Sequence, residues 1–234
     1  YRVPLLLRDQ GICEALDIDC NATDMMTRWE AMADRVDNLG EDVHIAMVGK
    51  YTGLTDSYLS VIKSLQHASY EVNRTLVIDW IEASNLEDNS HEDWATLKSA
   101  DGILVPGGFG DRGIEGKILA ANYARTSQTP YLGICLGLQV ATIEFCRNVL
   151  GMKDANSTEF DENTPEPAVV FMPEISKTHL GGTMRLGSRP TIFQVEDCMM
   201  RRLYGGGQQV DERHRHRYEV NPDLIAKIEA EGLV

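Results

Sequence analysis

Pro130-Tyr131-Leu132-Gly133-Ile134-Cys135-Leu136-Gly137-Leu138-Gln139 is the stretch whose reading decides the fold. An apolar run enters it as a strand, glycines stand two residues before and two after the cysteine, and apolar residues resume at helical spacing. The pattern is G-x-C-x-G, a cysteine form of the nucleophile elbow, in which a strand turns sharply into a helix. The apex residue of such a turn is held in a strained backbone conformation, and its neighbours must be small because only glycine has no Cβ to clash. Cys135 is expected at the tip, exposed, under the first amides of the helix it opens. Those amides and the helix dipole favour a thiolate over a thiol. A free cysteine is ordinarily a buried apolar residue; the flanking glycines and a second glycine-rich loop upstream set this one apart.

Working outward toward the N-terminus, Gly102 to Val105 reads as a buried strand, followed by the glycine-rich loop Pro106-Gly107-Gly108-Phe109-Gly110-Asp111-Arg112-Gly113 and a helix from Ile114 to Arg125. Val43 to Tyr51 and Thr75 to Ile81 read as further strands, with an amphipathic helix carrying Tyr58, Val61, Ile62 and Leu65 between them. Glu82 to Ser99 reads as acidic and irregular, with a short helix at Trp94 and Leu97. Trp29, Met32 and Val36 recur at helical spacing behind Thr23-Asp24, which can cap, so a helix over 24–38 is expected to dock on the downstream chain. Strands alternating with helices are βαβ units. They predict an α/β fold with a doubly wound, mostly parallel sheet flanked by helices, and functional loops at the carboxyl edge of the strands. Downstream, Val169 to Met172 and Ile192 to Val195 read as antiparallel additions, joined by a polar loop containing Gly181 to Gly187. Met199 to Tyr204 reads as a short helix, Glu212 to Val220 as a basic alternating stretch, and Asp223 to Glu231 as a last helix.

Composition narrows the class of function. The 234 residues suffice for one large domain, or one domain with extensions, and 43% are hydrophobic. The formal charge of −14 repels phosphate backbones and anionic lipid surfaces, so neither nucleic acid nor membrane is expected as a partner. No apolar run reaches the roughly 18 residues of a membrane span, and the chain reads as cytoplasmic. Its five cysteines are scattered and include no C-x-x-C, which suggests neither a disulfide framework nor a zinc site. His214 and His216 have no third ligand at a telling spacing and are read as structural.

Gly108 to Gly113 also matches G-x-G-x-x-G, but a dinucleotide site needs an acidic residue roughly 20 positions on to hold the ribose. Between Glu115 and Glu144 there is no Asp or Glu. Beside a cysteine elbow, the alternative task for paired glycines is an oxyanion hole. The backbone amides of Gly108 and Leu136 are placed to converge on the oxygen that turns negative when Cys135 attacks a carbonyl.

A strand ending in Pro-Gly-Gly-Phe-Gly, followed by Gly-Ile-Cys-Leu-Gly-Leu-Gln, resembles the triad-type (class I) glutamine amidotransferases, which have a flavodoxin-like fold. Ala155 to Phe160, Gly181 to Gly187, Arg213 to Asn221, Tyr1 to Pro4 and Val48 to Tyr51 extend the resemblance along essentially the whole chain, toward the CTP synthases. The resemblance implies Cys135 as nucleophile and Gly108 with Leu136 as oxyanion donors. Gln139, Glu159, Arg217 and Tyr218 would bind the substrate L-glutamine, with Gly107, Phe109, Gly137 and Leu138 completing the subsite. A zwitterionic amino acid needs a carboxylate for its ammonium and a planar guanidinium for its carboxylate, which Glu159 and Arg217 can supply. For the glutaminase part the resemblance implies no metal or cofactor. For a whole CTP synthase it implies ATP, Mg2+ and GTP as activator, amination of UTP, and a homotetramer. It further implies that residues 1–41 are a linker from an N-terminal synthetase domain and 42–234 the amidotransferase domain. The family's general base lies in a His-Pro-Glu segment, which this sequence does not contain, so the expectation is a piece cut before its last strands. The rival readings are an amidotransferase subunit of another synthase, such as that of GMP synthesis, and a glutamine-sensing module without turnover.

Overall fold

A computed structural model describes residues 15–17, 23–50, 52–53, 55–108, 110–172 and 187–234. Tyr1 to Pro4, Tyr51, Phe109 and Gly181 to Leu186, on which parts of the sequence reading fall, lie outside the described residues. The chain divides into two compact units, one of residues 1–43 with 62–76 and one of residues 44–61 with 77–234.

In the first unit the helix Thr23–Asp37 forms as expected, and Arg35 Nη1 pairs with Glu71 Oε2 at 2.8 Å. Of its apolar stripe, Val36 is partly buried while Trp29 and Met32 are 55% and 40% exposed. Helical spacing reports a stripe of apolar side chains, and nothing in that spacing requires the stripe to be covered.

The second unit carries the chemistry. Strands β1 (Asp42–Gly49), β2 (Thr75–Glu82), β3 (Gly102–Val105) and β4 (Tyr131–Gly133) form one sheet in the order β2-β1-β3-β4. β1 pairs with β3 in parallel, Ala46 opposite Ile103, and β3 pairs with β4 in parallel, Leu104 opposite Leu132. The strand order steps outward from β1 to β2 and then back across β1 to β3, which is the doubly wound pattern. Because β3 and β4 are parallel neighbours, their carboxyl ends lie side by side. The glycine loop after β3 and the elbow after β4 therefore open at one edge.

The elbow helix, Leu136–Asn148, buries Leu136, Val140, Ile143, Phe145 and Cys146. A helix apolar on most of its circumference belongs between two layers, and here both Val105 of β3 and Val169 of the strand Glu166–Phe171 share its core cluster. Its one buried carboxylate, Glu144, accepts hydrogen bonds from Arg125, Asn122 and Asn148. Burial alone would raise this carboxyl, but those donors hold it below its ordinary value.

Two strands and one helical segment correct the sequence reading. A short strand absent from that reading, β5 (Ala155–Ser157), pairs in parallel with β6 (Glu166–Phe171), and β6 pairs antiparallel with β9 (Tyr218–Val220). The strand expected at 192–195 instead spans Gly187–Ile192 (β7) and pairs antiparallel with β8 (Gln209–His214). The basic stretch 212–220 thus splits between two sheets, with Arg215, His216 and Arg217 as the turn between them. The segment 82–99, read as irregular with one short helix, holds two helices, Ala83–Glu87 and His91–Ser99.

Candidate active site

Cys135 has φ +55° and ψ −105°, and its residue is exposed. For a side chain with a Cβ this is a strained conformation, maintained only when the surroundings over-determine it. The two elbow glycines supply that constraint. A Cβ on Gly133 would stand 2.5 Å from the carbonyl carbon of Gly137 and 2.7 Å from the nitrogen of Leu138, and a Cβ on Gly137 would run into the carbonyl oxygen of Val105. Strand and helix therefore approach backbone to backbone. Ile134 N–H donates to Val105 O at 3.0 Å, Gly137 N–H to Ile134 O at 3.0 Å, and the Tyr131 hydroxyl to Gly137 O at 2.8 Å.

The helix start is not the only influence on the thiol. Protein packed around the sulfur pushes the Cys135 thiol up from its ordinary value, the Leu136 N–H pulls it down, and the Glu159 carboxylate pushes it up again. Desolvation disfavours the charged form more than one amide at a helix start favours it. The Cys135 side chain is nonetheless open to solvent at the pocket.

One pocket is lined by Gly108, Cys135, Gln139, Glu159, Arg217 and Tyr218, together with His216. Six positions singled out from the sequence thus converge there from four elements. Gln139 comes from the elbow helix and is 7% exposed. Glu159 follows β5, whose Ser157 Oγ accepts from the Glu159 N–H at 3.1 Å, while Thr158 N–H donates to Val169 O. Arg217 comes from the β8–β9 turn and Tyr218 from the start of β9, where it stacks edge-on against Phe171 with ring centroids 5.3 Å apart. Gly108 closes the pocket from the loop after β3. Gly107 stands against Cys135, where a Cβ would lie 3.4 Å from that of the cysteine.

The other expected positions are placed differently. Leu136 is buried, with its amide toward the sulfur. Gly137 is buried against Val105, and Leu138 is 55% exposed; neither belongs to the pocket lining.

Charge in the pocket is arranged in opposition. Burial pushes the Glu159 carboxyl up, against the pull of Arg217 and Lys50. Burial, with Glu159 and Glu162, raises the Tyr218 phenol. A carboxylate and a guanidinium in one concavity can receive the two charged ends of an amino acid, leaving its side chain to reach the sulfur. Among the described residues no group of three His, Cys, Asp or Glu is placed to hold a metal ion.

Two site residues are not legible as such in the sequence. Lys50 follows β1, is 6% exposed, and donates from Nζ to Gly110 O at 3.0 Å, bracing the loop that carries Gly108. Its only sequence signal is membership of a Gly-Lys-Tyr triplet. His216, expected to be structural, faces the same pocket as Cys135.

Comparison with known proteins agrees with this geometry. A family model described as glutamine amidotransferase class-I matches residues 53–234. The chain is 53% identical to a CTP synthase of Dictyostelium discoideum over all of its length and 46% of that protein. It is 50% identical to CTP synthase 1 of Homo sapiens over all of its length and 42% of that protein. It therefore spans less than half the length of these relatives. Among solved structures, the glutaminase domain of Trypanosoma brucei CTPS with bound acivicin has a TM-score of 0.75 and 40% identity, covering 81% of this chain and 72% of that one.

Proposed function

Because the chain belongs to the class-I glutamine amidotransferase family, we propose that it hydrolyses the side-chain amide of L-glutamine through a thioester at Cys135, as the glutaminase part of a CTP synthase. In this reading residues 1–41 are the linker from a synthetase domain and residues 42–234 the glutaminase domain. The released ammonia serves an ATP-dependent amination of UTP to CTP with Mg2+ and with GTP as activator, in a cytoplasmic homotetramer. No described helix is long and apolar enough to cross a membrane.

The observation that carries the reading is the sharing of one pocket by Cys135, Gln139, Glu159 and Arg217. Arg217 grips the α-carboxylate and Glu159 the α-ammonium, so the amide carbon is delivered to the sulfur and the encounter becomes intramolecular. A carbon–sulfur bond forms as the carbonyl oxygen takes negative charge against the amides of Gly108 and Leu136, a type of interaction worth about 3 kcal/mol per donor. The carbon–nitrogen bond then breaks, and the thiol proton leaves with the nitrogen as ammonia. Water cleaves the thioester, adding hydroxyl to the acyl carbon and hydrogen to the sulfur, and glutamate departs. The thiol gives up its proton as the carbon–sulfur bond forms, so a proton acceptor is needed for the first step. The sequence contains no His-Pro-Glu, and no residue of this chain is assigned that role.

A glutamine analogue with a diazoketone in place of the amide tests the reading. It should alkylate Cys135 alone among the five cysteines, with saturation kinetics and protection by glutamine. Labelling spread evenly over the cysteines would overturn the nucleophile assignment.

A further inference from the structure

We propose that His216, oriented by His214, is the positioning residue that holds Arg217 over the pocket. This role rests on the glutaminase reading of the site and concerns how its guanidinium is aimed.

Donor and acceptor chemistry fixes the arrangement. His216 Nδ1 lies 3.1 Å from the backbone oxygen of Tyr218. A carbonyl only accepts, so this nitrogen carries the proton and the His216 side chain closes a ring across Arg217, from the residue before it to the residue after it. In the neutral imidazole the other nitrogen, Nε2, is then an acceptor. It lies 3.2 Å from His214 Nδ1, which must be the donor. His214 thereby fixes the tautomer that His216 needs. The rings sit 5.4 Å apart at 56°, a geometry of bonding edge to edge rather than of stacking.

The same Tyr218 oxygen accepts a second hydrogen bond, from Gln139 Nε2 at 3.2 Å. The elbow helix and the Arg217 turn are thus joined at a single carbonyl. Arg217's own carbonyl accepts from Met172 N–H at 2.8 Å, which ties the turn to the end of β6. With its carbonyl held by β6 and both neighbours bridged by His216, the Arg217 backbone has one place to be. A long side chain loses less freedom on gripping a carboxylate when its base is already fixed. The aim of Arg217 at the substrate is therefore set by a histidine that need not touch the reacting atoms.

The test uses inactivation of the full chain by the diazoketone analogue, with iodoacetamide as a second alkylating agent that has neither carboxylate nor ammonium for the pocket to grip. In His216→Ala the analogue concentration for half-maximal inactivation should rise about tenfold, the scale of one lost hydrogen bond. The maximal inactivation rate should stay within about twofold. The iodoacetamide rate should change far less than the analogue's half-saturation, because the hydrogen bonds of Ile134, Gly137 and Tyr131 at the elbow do not involve His216. His216→Asn places an amide N–H where Nδ1 stood and should restore half-saturation to near the parent value. His214→Ala should shift it in the same direction as His216→Ala, but less.

Unchanged half-saturation in His216→Ala overturns the proposal. So does an iodoacetamide rate that falls as far as the analogue's half-saturation rises, which would make His216 a general support of the elbow, and so does failure of His216→Asn to restore binding. If the parent chain itself shows no saturable labelling, the glutaminase reading falls first, and the experiment separates that outcome from the others.

Discussion

Gly133→Ala should separate the elbow helix from its strand. The added methyl would stand 2.5 Å from Gly137 C, 2.6 Å from Gly137 O and 2.7 Å from Leu138 N. Ordinary contacts to carbon are about 3.5–4.0 Å, so roughly one ångström is lacking. All three atoms are backbone of the helix's first turn, and no side-chain rotation can relieve them. Overpacking ordinarily costs about 1–3 kcal/mol, and here the upper end applies, because relief requires moving a helix whose other face is packed in the core. For a domain of this size about 3 kcal/mol corresponds to a fall in Tm of roughly 6–12 °C. The shift also displaces the Leu136 amide from the sulfur, and a misplacement of about one ångström costs on the order of a hundredfold in rate. Thermal melts and the diazoketone labelling rate measure the two effects. Gly53→Ala, where a Cβ meets nothing within 4 Å, is the control and should leave Tm within about 2 °C. A Gly133→Ala protein with parental Tm and parental labelling would refute the backbone-to-backbone account of the elbow.

Arg217→Ala should weaken glutamine binding by about 2–3 kcal/mol, or roughly 30–150-fold in Kd by calorimetry, and parental affinity would return the basic turn to the solvated surface. Alkylation of Cys135 by iodoacetamide should inflect above the ordinary cysteine range of about 8.5, because burial and Glu159 raise the thiol; Glu159→Gln should move the inflection down, and an inflection near neutrality would contradict this. Burial, then Lys50, lowers Lys117 to about 8, so between about pH 8 and the unfolded value near 10.4 the unfolded chain binds more protons and stability rises with pH. Lys117→Met should therefore be more stable than the parent at pH 7, by at most about 3 kcal/mol, with the gap closing toward pH 10; a gap independent of pH across that range would refute it.

Local chemistry made the elbow and the parallel sheet legible from the chain. G-x-C-x-G demands a strained apex between small neighbours, and buried apolar strands alternating with helices leave few arrangements other than a doubly wound sheet. Cys135 at φ +55° and the paired loops after β3 and β4 follow from such constraints. Those constraints act within a few residues, so the sequence displays them directly. What the chain did not display depends on partners distant in sequence. β5 is too short to show a period, and it exists because β6 pairs with it, yet it delivers Glu159. The strand expected at 192–195 lies at 187–192 because β8 sets its register. The Cys135 thiol is pushed up because burial and the Glu159 carboxylate outweigh the helix-start amide that the sequence made visible. His216 enters the site because Tyr218 O sits where both an elbow-helix glutamine and a β8–β9 histidine can reach it. Residue types and local spacing determined which groups were available for chemistry, while burial, register and shared acceptors are sums over the folded neighbourhood and were decided by the tertiary structure alone.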